Sequence, residues 1–231
     1  MRFILLVVFF NTLNAMECAL DETLLQLCKR KTIQNSSNLI LDAITSTSIN
    51  QKDDQGRIPL HFAALFDTVG TIITALCKAD RQTVGTCDNE GAQPLHLAAF
   101  AGNVGATHLL INYEANPNAQ TKLGKTPAHK AIYADENQNA IEILELLNAN
   151  KGNLDVQDVY GYTPLHLAAL NENPEIFSAL VNLRADVQVK DKEEKTPVML
   201  AQETIQKMPL CKSALKQKFN QVLAKISATS K

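Results

Sequence analysis

The sequence predicts an all-α chain: a solenoid of stacked helix-turn-helix units with helical caps at both ends. Three observations predict it. A common frame recurs along the chain, anchored by Pro59, Pro94, Pro127, Pro164 and Pro197 at intervals of 35, 33, 37 and 33 residues; a fixed period of this size marks a repeat architecture. Between the anchors, apolar residues recur at helical spacing. The composition suits thin stacked layers: of 231 residues 45% are hydrophobic, yet only 5% are aromatic and none is Trp. Leu, Ile and Ala must therefore do the packing. Nine Gly and eight Pro are too few for a loop-rich all-β chain.

The first element is residues 1–15, MRFILLVVFFNTLNA. Arg2 supplies a positive charge, Phe3 to Phe10 is an unbroken apolar run, and Ala15 is a small residue suited to the position before a cleavage site. This is the plan of a secretory signal peptide, so the protein is expected to be secreted or periplasmic. The run falls short of the roughly 18 apolar residues that a spanning helix needs, and no integral membrane span is expected. Removing residues 1–15 leaves 21 basic against 24 acidic residues, a net charge of −3. That balance argues against a general polyanion binder, and no nucleic-acid partner is expected.

Residues 16–49 follow as an N-terminal capping repeat. Leu24, Leu25, Leu27 and Cys28 fill one apolar helix face, and Leu39, Ile40, Ala43 and Ile44 another. Export permits disulfides. Cys18 with Cys28, and Cys77 with Cys87, would each close a loop of about ten residues worth about 2–3 kcal/mol, leaving Cys211 over. Equally, Cys28, Cys77 and Cys211 read as small buried hydrophobes on helices.

Residues 50–187 hold four repeats. Their segments are NQKDDQGRIPLHFAALF from Asn50, GTCDNEGAQPLHLAAFA from Gly85, NAQTKLGKTPAHKAIYA from Asn118 and DVQDVYGYTPLHLAALN from Asp155. The 37-residue interval carries a short insertion near Asp135 to Gln138, where two helices are joined. A degenerate fifth repeat, QVKDKEEKTPVMLAQET from Gln188, opens residues 188–231 and lacks the Gly and His. The pattern D-x-x-G-x-T-P-L-H-x-A-A, followed by an apolar helix and a loop, resembles the ankyrin repeat, whose period is about 33 residues with a β-turn finger and two helices per unit.

Each signature residue has a local reason. Gly56, Gly91, Gly124 and Gly161 let the finger turn reach positive φ; Glu194 stands at this place in the last copy, so that finger is expected to be distorted. Thr126, Thr163 and Thr196 are candidate N-caps, replaced by Ile58 and Gln93 in the first two copies. The prolines suit the first helical position. The pairs Ala63–Ala64, Ala98–Ala99 and Ala168–Ala169 let inner helices approach closely, while Leu109–Leu110 and Leu146–Leu147 mark the apolar face of outer helices. His61, His96, His129 and His166 recur about one repeat apart, near 10 Å by usual helix packing. That is too far for one ion, whose ligands lie at about 2.0–2.1 Å. No metal or cofactor is expected, and the resemblance implies that each His bonds the neighbouring finger backbone.

At the far end, residues 210–227 read as a capping helix with Leu215, Phe219, Val222, Leu223 and Ile226 at helical spacing. From Thr204 onward there are six Lys and no acid. Lysines here complement the helix dipole and keep a cap soluble; the alternative reading is a docking patch for an acidic partner or membrane surface.

No catalytic motif occurs: no G-x-S-x-G elbow, P-loop, H-E-x-x-H or Cys-x-x-Cys. The chain is expected to be a monomeric, non-enzymatic module for a protein partner. The resemblance implies binding by finger tips and the concave side of inner helices. Outside residues 1–15 the chain has nine aromatic residues. Five of them, Phe66, Phe100, Tyr133, Tyr160 and Tyr162, fall at such positions and read as interface anchors or as rings packed on the next repeat. Asp54, Gln55, Arg57, Asn89, Glu90, Lys122 and Lys125 would form a polar rim. The leading expectation is a secreted interaction module, with a host-directed effector role suggested by the Asn- and Lys-rich composition. The alternative is a periplasmic inhibitor, immunity or accessory protein for a toxin or hydrolase.

Overall fold

A computed structural model of the chain describes residues 49–229. The expected signal peptide, most of the N-terminal capping repeat, and Cys18 and Cys28 lie outside the described residues. Among the described residues ten α-helices follow one another: α1 (Pro59–Phe66), α2 (Thr71–Ala79), α3 (Pro94–Phe100), α4 (Val104–Asn112), α5 (Pro127–Ala131), α6 (Asn137–Ala149), α7 (Pro164–Leu170), α8 (Pro174–Asn182), α9 (Pro197–Lys207) and α10 (Ser213–Thr229). Short 3-10 turns at Arg81–Gly85 and Leu210–Lys212 extend the first and last units. Odd-numbered helices form an inner row and even-numbered helices an outer row, each packing on the next of its row and on its own hairpin partner.

The anchor prolines open every inner helix, where a missing N–H costs nothing. The alanine pairs Ala63–Ala64, Ala98–Ala99 and Ala168–Ala169 are all buried, which lets the inner row pack backbone to backbone. The outer row supplies most of the larger side chains, with Ile73, Leu76, Leu110, Ile143, Leu144, Leu147, Phe177 and Leu180 fully buried, and the inner row adds Leu60, Leu95 and Leu165. Asparagines start two outer helices. Asn103 accepts from the Ala106 N–H at 3.0 Å, and its amide donates back to the carbonyls of Ala64 and Asp67 in the preceding unit. Asn173 accepts from the Ile176 N–H at 3.1 Å. Thr163 and Thr196 cap their helices as expected. α10 serves as the outer helix of the fifth unit: the Phe219 ring meets Phe177 of α8 edge-on, centroids 5.7 Å apart.

The fingers are joined by one repeated backbone bond. The N–H of the second finger residue donates to the carbonyl of the third residue of the preceding finger. These bonds are Asn89 to Gln55 (2.8 Å), Lys122 to Glu90 (2.8 Å), Val159 to Leu123 (3.0 Å) and Lys192 to Tyr160 (3.4 Å). Within a finger the leading Asp organises the turn: Asp158 Oδ1 accepts from the N–H groups of Tyr160 and Tyr162 at 2.9 and 3.0 Å. Thr121 performs part of this role in the third finger, accepting from the Lys125 N–H at 3.2 Å.

One sequence expectation is corrected, and of the two open readings of Cys77 the structure shows the buried, unbridged one. Glu194 does not distort its finger. It takes φ 62°, and its N–H reaches the Asp191 carbonyl at 3.1 Å, just as Gly161 (φ 85°) reaches Asp158 at 2.9 Å. Glycine at 161 is required by the neighbour as well as by φ, since a Cβ there would stand 2.7 Å from the Lys192 nitrogen of the next finger. Glu194 belongs to the last finger among the described residues and meets no such neighbour. The Cys77–Cys87 bridge is absent. Cys77 is a free, buried thiol of α2, and Cys87 is a free, exposed thiol beyond the 3-10 turn. Burial pushes the Cys77 thiol up to about 11.

Candidate protein-binding surface

The histidines fix how fingers meet inner helices. Nδ1 of His61, His96, His129 and His166 accepts the backbone N–H of Ile58, Gln93, Thr126 and Thr163 respectively, at 3.0–3.2 Å. The proton therefore sits on Nε2, which donates to the fifth residue of the next finger: the carbonyls of Ala92 (3.1 Å), Lys125 (3.1 Å), Tyr162 (2.9 Å) and Lys195 (3.2 Å). His96 also reaches the Ala119 carbonyl at 3.0 Å. Both ring nitrogens of every repeat histidine are thus engaged by backbone, the role that the resemblance to ankyrin repeats implied. Burial holds all four below the ordinary histidine value, His96 and His129 at about 4. Neutral rings lock each finger to the preceding helix and hold the finger tips in register.

That scaffold presents a discontinuous apolar row. Phe66 at the end of α1 is 43% exposed, Tyr133 just beyond α5 is exposed, and Tyr160 on the fourth finger is 56% exposed. Phe100 and Tyr162 are half-buried, and Tyr162 packs against the core. The Tyr162 ring lies 6.3 Å from Tyr160 and 6.0 Å from His166, so it supports the surface more than it presents itself. Fingers three and four add two residues that the sequence reading passed over. Leu123 is 48% exposed and Val159 is exposed, and the Val159-to-Leu123 bond sets them side by side. Their signal was in the sequence: aliphatic side chains one and two places before the finger glycine, where other copies carry Asp, Asn, Lys, Gln, Glu or Tyr. Leu170 and Met199 on α7 and α9 are exposed as well.

The polar residues divide. Asp54, Gln55, Glu90 and Lys122 are exposed on finger tips. Asn89 is exposed too, but its amide donates to the Asp54 carbonyl at 2.9 Å and so ties two fingers together. Lys125 stands over the Tyr133 ring, 5.6 Å from its centroid, a cation–π arrangement. Arg57 departs from the expected rim. Its side chain is only 14% exposed, grips Asp53 at 2.8 Å and lies 4.7 Å over the Phe62 ring. The C-terminal lysines are partly engaged within the array, Lys212 with Glu172 and Lys218 with Glu175.

Among the described residues no helix is long and apolar enough to cross a membrane. The family model for ankyrin repeats (3 copies) matches residues 13–121, 60–147, 99–191 and 128–217. Rabankyrin-5 of Mus musculus is 32% identical over 172 residues, which cover 70% of this chain and 14% of that protein. NF-kappa-B inhibitor alpha of Homo sapiens is 32% identical over 81 residues, 35% of this chain and 26% of that one. Transient receptor potential cation channel subfamily A member 1 of Drosophila melanogaster is 35% identical over 105 residues, 43% of this chain and 8% of the channel. The chain thus spans about a quarter or less of the length of these relatives. The repeat frame, the finger ladder, the histidine bonds and these matches together show that the chain belongs to the ankyrin-repeat family, whose members are generally non-enzymatic protein–protein interaction modules.

Proposed function

We propose that the protein is an exported interaction module that binds a folded protein partner through its finger tips and inner-helix edge, and that it acts on a host protein. The observation that carries the binding reading is the exposed row Phe66, Tyr133, Leu123, Val159 and Tyr160 on a scaffold of buried helices. Aromatic side chains dominate interface energetics, and clustered exposed apolar groups mark contact sites. One similar protein, NF-kappa-B inhibitor alpha, is by name an inhibitor of another protein, which accords with a role carried out by binding. Residues 1–15 are the basis for export.

The test has two arms. Fractionation of producing cells should recover the chain, shortened near Ala15, outside the cytoplasm; a full-length cytoplasmic chain contradicts export. Affinity isolation with residues 16–231, followed by mass spectrometry, should recover host proteins. Recovery of a hydrolase or toxin of the producing cell instead supports the periplasmic inhibitor reading.

A further inference from the structure

Lys130 breaks a row. Three residues after each anchor proline stand Phe62, Leu97, Lys130, Leu167 and Leu200. Four of these are apolar, and Leu167 and Leu200 are buried. The third repeat places a half-buried cation at this position, on the short helix α5. Lys125 of the same repeat lies close enough for its charge to oppose that of Lys130, whose ammonium is pushed below the ordinary lysine value first by burial and then by Lys125. Glu90 and Asp88 of the second finger act in the opposite sense, yet neither forms an ion pair with Lys130. Lys122, at the tip of the third finger, is exposed. None of Lys122, Lys125 and Lys130 has an ion-pair partner among the described residues, a condition that Lys52, Lys78, Lys151, Lys192 and Lys216 share; what sets Lys130 apart is its place in an otherwise apolar row.

These three lysines border the apolar patch. Leu123 lies between Lys122 and Lys125 in sequence, and Val159 and Tyr160 flank it from the next finger. Tyr133 sits beneath Lys125. A half-buried lysine beside a like charge is costly unless an anion completes the site. Its apolar counterparts in the other repeats show that the fold does not need it. Resting on the interaction-module reading above, we infer that the third repeat is the specificity centre of the surface: the partner is an acidic segment that seats a carboxylate between Lys125 and Lys130 and lays an adjoining apolar or aromatic side chain on Leu123, Val159 and Tyr160.

A random peptide library displayed on phage and selected on the full chain tests this. The selected peptides should be rich in Asp or Glu next to an aromatic or branched aliphatic residue, and their binding should weaken with added salt. Lys130→Leu, which installs the residue found in three other repeats, should weaken these peptides at least ten-fold while leaving the melting temperature unchanged or higher. Lys130→Arg should retain most of the binding. Basic or neutral peptides that depend on Tyr160 would leave the interaction-module reading standing and overturn the acidic-segment inference, as would acidic peptides indifferent to Lys130→Leu. Recovery of no binder at all would count against both.

Discussion

His129 of the third repeat donates from Nε2 to the carbonyl of Tyr162 in the fourth finger at 2.9 Å, while its Nδ1 accepts the N–H of Thr126 at 3.1 Å. A second proton on this ring would abolish the Nδ1 bond and place a charge at a buried junction. The folded value is about 4, against 6.5 for an ordinary histidine, with burial the largest cause. The folded chain therefore binds fewer protons than the unfolded chain between these values. The stabilisation is present above about pH 6.5 and is lost as pH falls towards 4, at about 1.4 kcal/mol per pH unit for each such histidine. Urea unfolding between about pH 7 and pH 5 should show this loss. His129→Gln should flatten the slope by one histidine and cost about 1–3 kcal/mol at neutral pH. A slope unchanged by the substitution would contradict the assignment.

The contrast between Gly124 and Glu194 gives a second expectation. Gly124 has φ 72°, and a Cβ there would lie 3.1 Å from Asp158 Cα and 3.2 Å from the Val159 nitrogen. Gly124→Val should destabilise the array by about 2 kcal/mol or more, through strain in the turn and collision with the next finger. Glu194→Gly relieves a left-handed residue but loosens the unfolded chain, so it should change stability by less than about 1 kcal/mol. Denaturant midpoints of the two variants check both. An unchanged midpoint for Gly124→Val would refute the turn and the finger ladder together.

Thiol chemistry separates the cysteines. Cys77 is buried with its thiol held up to about 11, whereas Cys87 and Cys211 are exposed. In a chain carrying Cys18→Ser and Cys28→Ser, two thiols should react promptly with an aromatic disulfide reagent at neutral pH, and a third only after unfolding. A Cys77–Cys87 bridge detected by mass spectrometry in the exported protein would contradict the packing of α2.

The stack was legible because its determinants are local: prolines at helix starts, paired alanines in three repeats, and a histidine two residues past the proline of the first four repeats. The finger ladder was not, because a backbone N–H leaves no trace in residue type. Its constraint shows only indirectly, in glycine at 124 and 161 and its release at Glu194. Arg57 was misplaced because its partner depends on side-chain direction. The charge on finger one looks like rim from composition, yet it turns back onto Asp53 and Phe62. Leu123 and Val159 were overlooked because apolar residues are ordinarily assigned to the core. Only the finger register reveals that these two face outward.

The central claim is that the exposed ring row binds a protein and is not needed for folding. The most direct measurement is paired affinity isolation and thermal unfolding of Tyr133→Ala/Tyr160→Ala beside the parent chain. The account predicts loss of the captured partner by at least ten-fold, with the helical signal retained and the melting temperature within a few degrees. Undiminished capture, or an unfolded variant, would contradict it and return both tyrosines to the packing of the array.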